Sequence, residues 1–327
     1  MRRFLFVLVG MLTASTAVAA RRFRRHDAEA RARLAAVPSR LAETSRGPVD
    51  YADVGSGEPV LVVHGIFGGR DAGLTSFDDL VPHRHVIAPS RFGYLASAMP
   101  PRATPAWQAD VFADLLDTLE IDRIDVVAFS AGTPSALQFA LRHPDRLRRL
   151  VVMSGAWPGS FGRAPGVIET VVYRSDVAMW LARTCGGPVL RRLIAGIPKD
   201  FPLPEEHRSE IDRLIDTVFP VRERFRGAIF DACTGNLDVD TYPLESIAAP
   251  TMIVHSRDDT LAPFEPARLA ASRIPQAQLV AHETGGHLML GRATEASRAV
   301  AAFLGTAPDR SSPSKVSVSS PEVPNGS

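Results

Sequence analysis

From about Gly47 onward, short apolar runs alternate with stretches whose apolar residues recur at helical spacing. The short runs, bounded by turn formers, predict strands at Pro59–Val63, His85–Ala88, Ile124–Ala128, Leu150–Met153, Thr251–His255 and Gln278–Ala281. The amphipathic stretches predict helices at Ala106–Leu119, Pro134–Arg142, Glu265–Arg273 and Thr294–Leu304. Strands alternating with helices in this way predict an α/β fold built on a doubly wound, mainly parallel sheet. The rhythm breaks between about Trp157 and Glu245, where strand-like runs give way to a helical, irregular stretch rich in Arg, Pro and bulky apolar residues. No internal repeat relates this stretch to the rest. It reads as an insertion that leaves after one strand and returns before the next, a helical lid over one edge of the sheet.

The ends follow other patterns. Phe4–Ala20 is almost unbroken apolar sequence behind Arg2 and Arg3, and Arg21, Arg22, Arg24 and Arg25 follow at once. The run is longer than the apolar stretch of a typical signal peptide, and a basic cluster resists translocation. It is therefore expected to be an uncleaved membrane anchor holding the protein to a membrane, with export after signal cleavage as the alternative. His26–Leu41 is expected to continue it as a solvated helix or stalk. Thr306–Ser327 is rich in Ser and Pro and is expected to be a disordered tail. The expected organisation is thus an N-terminal segment over 1–45, a core in two parts over 46–156 and 248–305, a helical lid over 157–247, and a tail over 306–327.

Composition narrows the function. The 327 residues are 45% hydrophobic and 22% charged, as in a globular protein with a sizeable core. Lys and Arg total 37 against 36 Asp and Glu, so no basic surface calls for a nucleic-acid partner. Two cysteines, Cys185 and Cys233, supply neither a disulfide framework nor a four-ligand zinc site. Buried free thiols are the expectation.

Three segments carry chemistry. In Val126-Val127-Ala128-Phe129-Ser130-Ala131-Gly132 an apolar strand runs into a serine and then a helix, with Ala128 and Gly132 as small neighbours two residues away on either side. A nucleophilic serine on a strained strand-to-helix turn needs small neighbours there, and the helix start favours negative charge developing beside it. The same pattern also serves as a plain turn. In Leu61-Val62-Val63-His64-Gly65-Ile66-Phe67-Gly68-Gly69 a strand ends in a glycine-rich loop able to aim a backbone N–H into a site. The N–H groups of Ile66 and Ala131 are the expected oxyanion donors. His64 and Gly65 are expected to support the loop, His64 tying it down through its ring rather than acting as a base. Late in the chain, Ser256-Arg257-Asp258-Asp259 follows one strand, and Thr284-Gly285-Gly286-His287 follows the next. Serine, acid and histidine in that order supply a nucleophile, a base, and a carboxylate that orients the base. Asp258 and Asp259 both qualify.

Together these segments resemble the α/β-hydrolase fold superfamily, in its serine-hydrolase and carboxylesterase-like branch, over roughly residues 46 to 305. The elbow departs from the family's usual G-x-S-x-G in carrying Ala128 first. The resemblance implies that the acid lies four residues before a proline, which selects Asp259 ahead of Pro263 and leaves Asp258 a loop-capping or solvated residue. It implies an enzyme, a hydrolase of carboxylic esters or related acyl bonds, working through Ser130, Asp259 and His287 and an acyl-enzyme. Neither cofactor nor metal is called for, and the expected partner is a small ester-like molecule. Relatives that cleave carbon–carbon bonds or make peracids use the same triad, and a non-catalytic, membrane-tethered binding or docking protein is the alternative of another class. Ser90-Arg91-Phe92-Gly93-Tyr94 is expected to be a packed loop, with Arg91 contacting substrate as the alternative. In the lid, Trp157, Phe161, Trp180, Phe201, Phe219, Phe225 and Phe230 are expected to form its core or wall the pocket, and its arginines to form a solvated face.

Overall fold

The computed structural model describes residues 2–75, 83–157, 166–233 and 239–305, and of residues 2–15, 167–169 and 240 the backbone alone. Eight strands, β1 (Arg40–Ala42), β2 (Val49–Val54), β3 (Pro59–Val63), β4 (His85–Pro89), β5 (Ile124–Phe129), β6 (Leu147–Met153), β7 (Thr251–Ser256) and β8 (Ala277–His282), form one sheet in the order β1-β2-β4-β3-β5-β6-β7-β8. β3 to β8 run parallel, while β2 pairs antiparallel with β1 and β4. The helices are α1 (Arg2–Ala36), α2 (Arg70–Thr75), α3 (Pro105–Thr118), α4 (Thr133–Arg142), α5 (Val167–Arg174), α6 (Asp176–Ala195), α7 (Glu205–Thr217), α8 (Phe225–Cys233), α9 (Phe264–Arg273) and α10 (Ala293–Phe303). The expected α/β fold with a mainly parallel sheet is what the chain forms.

The apolar runs become strands because both faces of the sheet are covered. Along β3, Leu61 and Val63 pack among residues of α3 and α4, whereas Val60 and Val62 face the cluster that α10 closes. All four are fully buried, and each such side chain contributes about 1.5–3 kcal/mol. α3 starts where Thr104 accepts the Trp107 N–H and Pro105 occupies the first turn. The winding reverses between β3 and β5, and that reversal opens a crevice at their carboxyl ends.

Between β6 and β7 the chain leaves the sheet for α5 to α8. Trp157 at its root and Phe230 of α8 belong to the main core. Met179, Trp180, Ile211, Ile215 and Phe219 form a separate core under this segment, with Phe201 packed against it. Phe161 and the tail from Thr306 lie outside the described residues.

Three expectations are corrected. Among the described residues no helix is long and apolar enough to cross a membrane, which overturns the expected membrane anchor and membrane association. The apolar run is not an element of its own but the start of one 35-residue helix that continues through the arginine cluster. The far half of α1 is docked rather than a free stalk. Ala30 is buried, the Phe23 ring meets Trp180 edge-on at 5.8 Å, and Arg31 pairs with Glu223 at 2.9 Å. Cys185 and Cys233 are free thiols, but neither is buried: Cys185 is exposed and Cys233 half-buried.

Candidate active site

Three loops at the carboxyl ends of β3, β5 and β7, with a fourth after β8, converge on one point. β5 delivers Ser130 into a tight 3-10 turn that leads directly into α4. Ser130 has φ +49°, in the left-handed region that costs an L-residue about 1–2 kcal/mol. The strain is held in place by its surroundings, since Thr133 Oγ1 and the Ala156 N–H both donate to Ser130 O, at 2.7 and 3.0 Å. Gly132 must be glycine because a Cβ there would lie 2.6 Å from Val63 O and 2.8 Å from His64 O.

The structure brings Ser130, His287 and Asp259 together. His287 Nδ1 lies 2.8 Å from Asp259 Oδ2, and a carboxylate only accepts, so Nδ1 carries the proton and donates it. His287 Nε2 is then left to accept from Ser130 Oγ at 2.9 Å. The three residues are buried, at 1% (Ser130), 6% (Asp259) and 3% (His287) exposure. Asp259 Oδ1 also accepts the N–H groups of Leu261 and Ala262, each at 2.8 Å. Burial pushes the Asp259 carboxyl up, but hydrogen bonds from His255 and His287, the His287 charge and the Ala262 N–H outweigh it and bring the pKa down to about 2. The carboxylate is therefore held ionised beside the imidazole. Asp258 caps the neighbouring loop instead, accepting the Gly285 and Gly286 N–H groups at 3.2 and 2.8 Å.

Gly65 packs against Phe129 and Ser130, which sets the glycine-rich loop beside the serine. Among the described residues no acceptor within the loop network takes the Ile66 N–H, and Ala131 opens the turn after Ser130. The arrangement provides a serine hydroxyl, a base to take its proton, an anion to steady the base, and main-chain donors nearby.

The partners of several residues at the site carry no local signal in the sequence. His255, at the end of β7, lies 3.5 Å from the same Asp259 oxygen that His287 uses and donates from Nε2 to Ala262 O at 2.8 Å. Arg91 is buried, as expected of a packed loop, and forms a two-pronged pair with Asp231 of α8 at 2.7 and 2.6 Å. Arg224, fully buried ahead of α8, forms another with Asp71 of α2 at 3.0 and 2.6 Å. The expected solvated face thus contains an arginine that reaches the core.

The fold and site define the class, and comparison with known proteins agrees. Residues 58–174 match the model of the alpha/beta hydrolase fold, and residues 232–312 match that of a TAP-like protein. The chain is 31% identical over 245 residues to 2-hydroxy-6-oxo-2,4-heptadienoate hydrolase of Pseudomonas putida, covering 72% of this chain and 84% of that one. It is 29% identical over 246 residues to 2-hydroxymuconate semialdehyde hydrolase of a Pseudomonas species, covering 72% and 82%. Among solved structures, an alpha/beta hydrolase fold protein from Nakamurella multipartita is similar with a TM-score of 0.64 at 29% identity, over 80% of this chain and 99% of that one. The chain belongs to the α/β-hydrolase fold family and is an enzyme of the hydrolase class.

Proposed function

We propose that the protein is a serine hydrolase that cleaves carboxylic esters or related acyl bonds, with Ser130 as nucleophile, His287 as base and Asp259 as the acid that orients it. The observation that carries this reading is the unbroken hydrogen-bond chain from Ser130 Oγ through His287 to Asp259, at 2.9 and 2.8 Å, on a buried left-handed elbow. His287 takes the Ser130 proton as Oγ attacks the carbonyl carbon, and the Ile66 and Ala131 N–H groups receive the developing oxyanion. His287 returns the proton to the leaving group, and water activated by the same imidazole releases the acyl-enzyme. The reading asks for no metal or cofactor.

A second reading, carbon–carbon bond hydrolysis on the same triad, is favoured by the names of the relatives at 31% and 29% identity. Those names describe carboxylate-bearing substrates. Here, among the described residues, the two arginines that donate to the glycine-rich loop are each neutralised by an aspartate, Asp231 and Asp71. Neither is free to receive a substrate carboxylate, which supports an uncharged ester. The test combines labelling and turnover. A fluorophosphonate probe read by intact mass is expected to add once to the wild type and not to Ser130→Ala. Hydrolysis of p-nitrophenyl esters faster than of a 2-hydroxy-6-oxo-dienoate supports the ester reading, and the reverse order replaces it with the second.

A further inference from the structure

We propose that His64 and Arg91 form a hydrogen-bond relay that polarises the Gly65–Ile66 peptide and strengthens the Ile66 N–H as the oxyanion donor. The inference rests on the serine-hydrolase reading above and concerns what stands behind that N–H. The Arg91 backbone N–H points at His64 Nε2 from 3.0 Å, and His64 Nδ1 lies 2.7 Å from Gly65 O. A backbone N–H only donates and a carbonyl only accepts, so the ring is the tautomer with its proton on Nδ1. Arg91 Nη2 and the Gly68 N–H also donate to Gly65 O, at 3.3 and 3.2 Å, and Arg91 Nε donates to His64 O at 3.0 Å. The carbonyl that takes these bonds shares a peptide plane with the Ile66 N–H. Hydrogen bonds drawing electron density toward a carbonyl oxygen strengthen the amide on the same peptide, by about 10–30% per bond.

The surroundings are built to keep this geometry. A Cβ on Gly68 would lie 2.5 Å from His64 Nδ1, so the loop closes directly over the ring only because that position is glycine. The Tyr94 ring packs edge-on against His64 at 4.7 Å. Arg91 is fixed in turn by Asp231, to which the Tyr94 hydroxyl also donates, at 2.5 Å. Burial, then the Arg91 charge, lowers the His64 pKa well below the ordinary imidazole value, against a smaller upward pull from the bond to Gly65 O. The ring therefore stays neutral, and a second ring proton never opposes the Arg91 N–H. With both nitrogens engaged, His64 is a positioning residue rather than a second base.

The test uses the full chain. Fluorophosphonate labelling of the wild type comes first, because failure to label overturns the hydrolase reading itself and the relay with it. With labelling established, His64→Leu removes the Nδ1 donor, and His64→Asn returns an amide N–H at nearly the same place. On a p-nitrophenyl ester His64→Leu is expected to lose about tenfold in kcat with KM within about twofold, and to bind a trifluoromethyl ketone about tenfold more weakly. His64→Asn is expected to recover most of both. A rise in KM with kcat unchanged, or equal loss in the Leu and Asn variants, overturns the relay. Should His64→Leu fail to fold, 15N chemical shifts of the wild-type imidazole decide the matter. The relay requires Nδ1 protonated and Nε2 bare, and the opposite tautomer or an imidazolium refutes it.

Discussion

Asp231→Asn puts the junction between the core and the α5 to α8 segment to the test. In the wild type the two Asp231 oxygens accept from Arg91 Nη1 and Nη2 at 2.7 and 2.6 Å, and both residues are at most 3% exposed. Two unit charges about 4 Å apart attract by about 4 kcal/mol at an effective dielectric near 20. Asparagine keeps the shape but not the charge, and it turns an N–H₂ toward the guanidinium. The Arg91 cation then stays buried with no counter-ion, at a cost of about 3–5 kcal/mol. Urea unfolding followed by circular dichroism is the assay, with the midpoint expected to fall and the slope to hold. In thermal unfolding the same loss lowers Tm by about 6–20 °C. The double variant Arg91→Met with Asp231→Leu removes both charges and is expected to recover to within about 2 kcal/mol of the wild type, the remainder being the bonds lost by the Tyr94 O–H and by the His64 and Gly65 carbonyls. The reasoning is refuted if Asp231→Asn costs less than about 1 kcal/mol, or if the double variant is no more stable than the single one.

Other positions give sharper readings of the site. Ser130→Gly and Ser130→Ala both lose the proposed nucleophile, but only glycine escapes the strain at φ +49°, so Ser130→Gly is expected to be about 1 kcal/mol the more stable of the two in urea. Gly132→Ala drives a Cβ against two backbone carbonyl oxygens, at 2.6 and 2.8 Å, and is expected to cost about 1–3 kcal/mol and to slow fluorophosphonate labelling markedly; wild-type labelling would sink the steric account of the elbow. The Asp259 carboxyl falls from an ordinary 3.8 to about 2 in the fold, so its stabilisation is fully present above pH 4 and is lost as pH falls through about 2. Asp259→Asn is expected to remove about 2 kcal/mol of that acid-side dependence, seen as urea midpoints that change less between pH 5 and pH 2 than those of the wild type.

Whatever the chain signals locally was legible in its residue pattern. The six predicted strands are β3 to β8 and the four predicted helices are α3, α4, α9 and α10, because each is a continuous apolar or amphipathic run. Ser130, Asp259 and His287, which the structure brings together, were legible as candidates for a related reason: each lies in the turn or loop that follows a strand, with small or turn-forming neighbours that mark it. β1 and β2 were not, since Val49-Asp50-Tyr51-Ala52-Asp53-Val54 carries acids that read as polar until their partners are known. Asp50 is buried because Ser39, Arg70 and Ser90 all donate to it. The pairs Arg91–Asp231 and Arg224–Asp71 join residues 140 and 153 positions apart, and nothing in either neighbourhood announces the other. The same limit misled the reading of the N-terminus, where the apolar run was visible and the docking of the far half of α1 on Trp180 and Glu223 was not.

The segment between β6 and β7 is bound to every loop of the site. The His287 N–H donates to Ala195 O at 2.8 Å and the Thr260 N–H to Gly196 O at 2.9 Å, so the end of α6 holds both the histidine loop and the acid loop. Asp231 holds Arg91 over the His64 and Gly65 carbonyls, and Arg224 donates to Gly68 O at 2.5 Å, which fixes the glycine-rich loop from its other end. Removing the segment would therefore strip two main-chain N–H groups of their partners and leave Arg91 and Asp71 without counter-ions. Under the proposed triad, this segment is thus part of the frame that aligns Ser130, His287 and the Ile66 N–H.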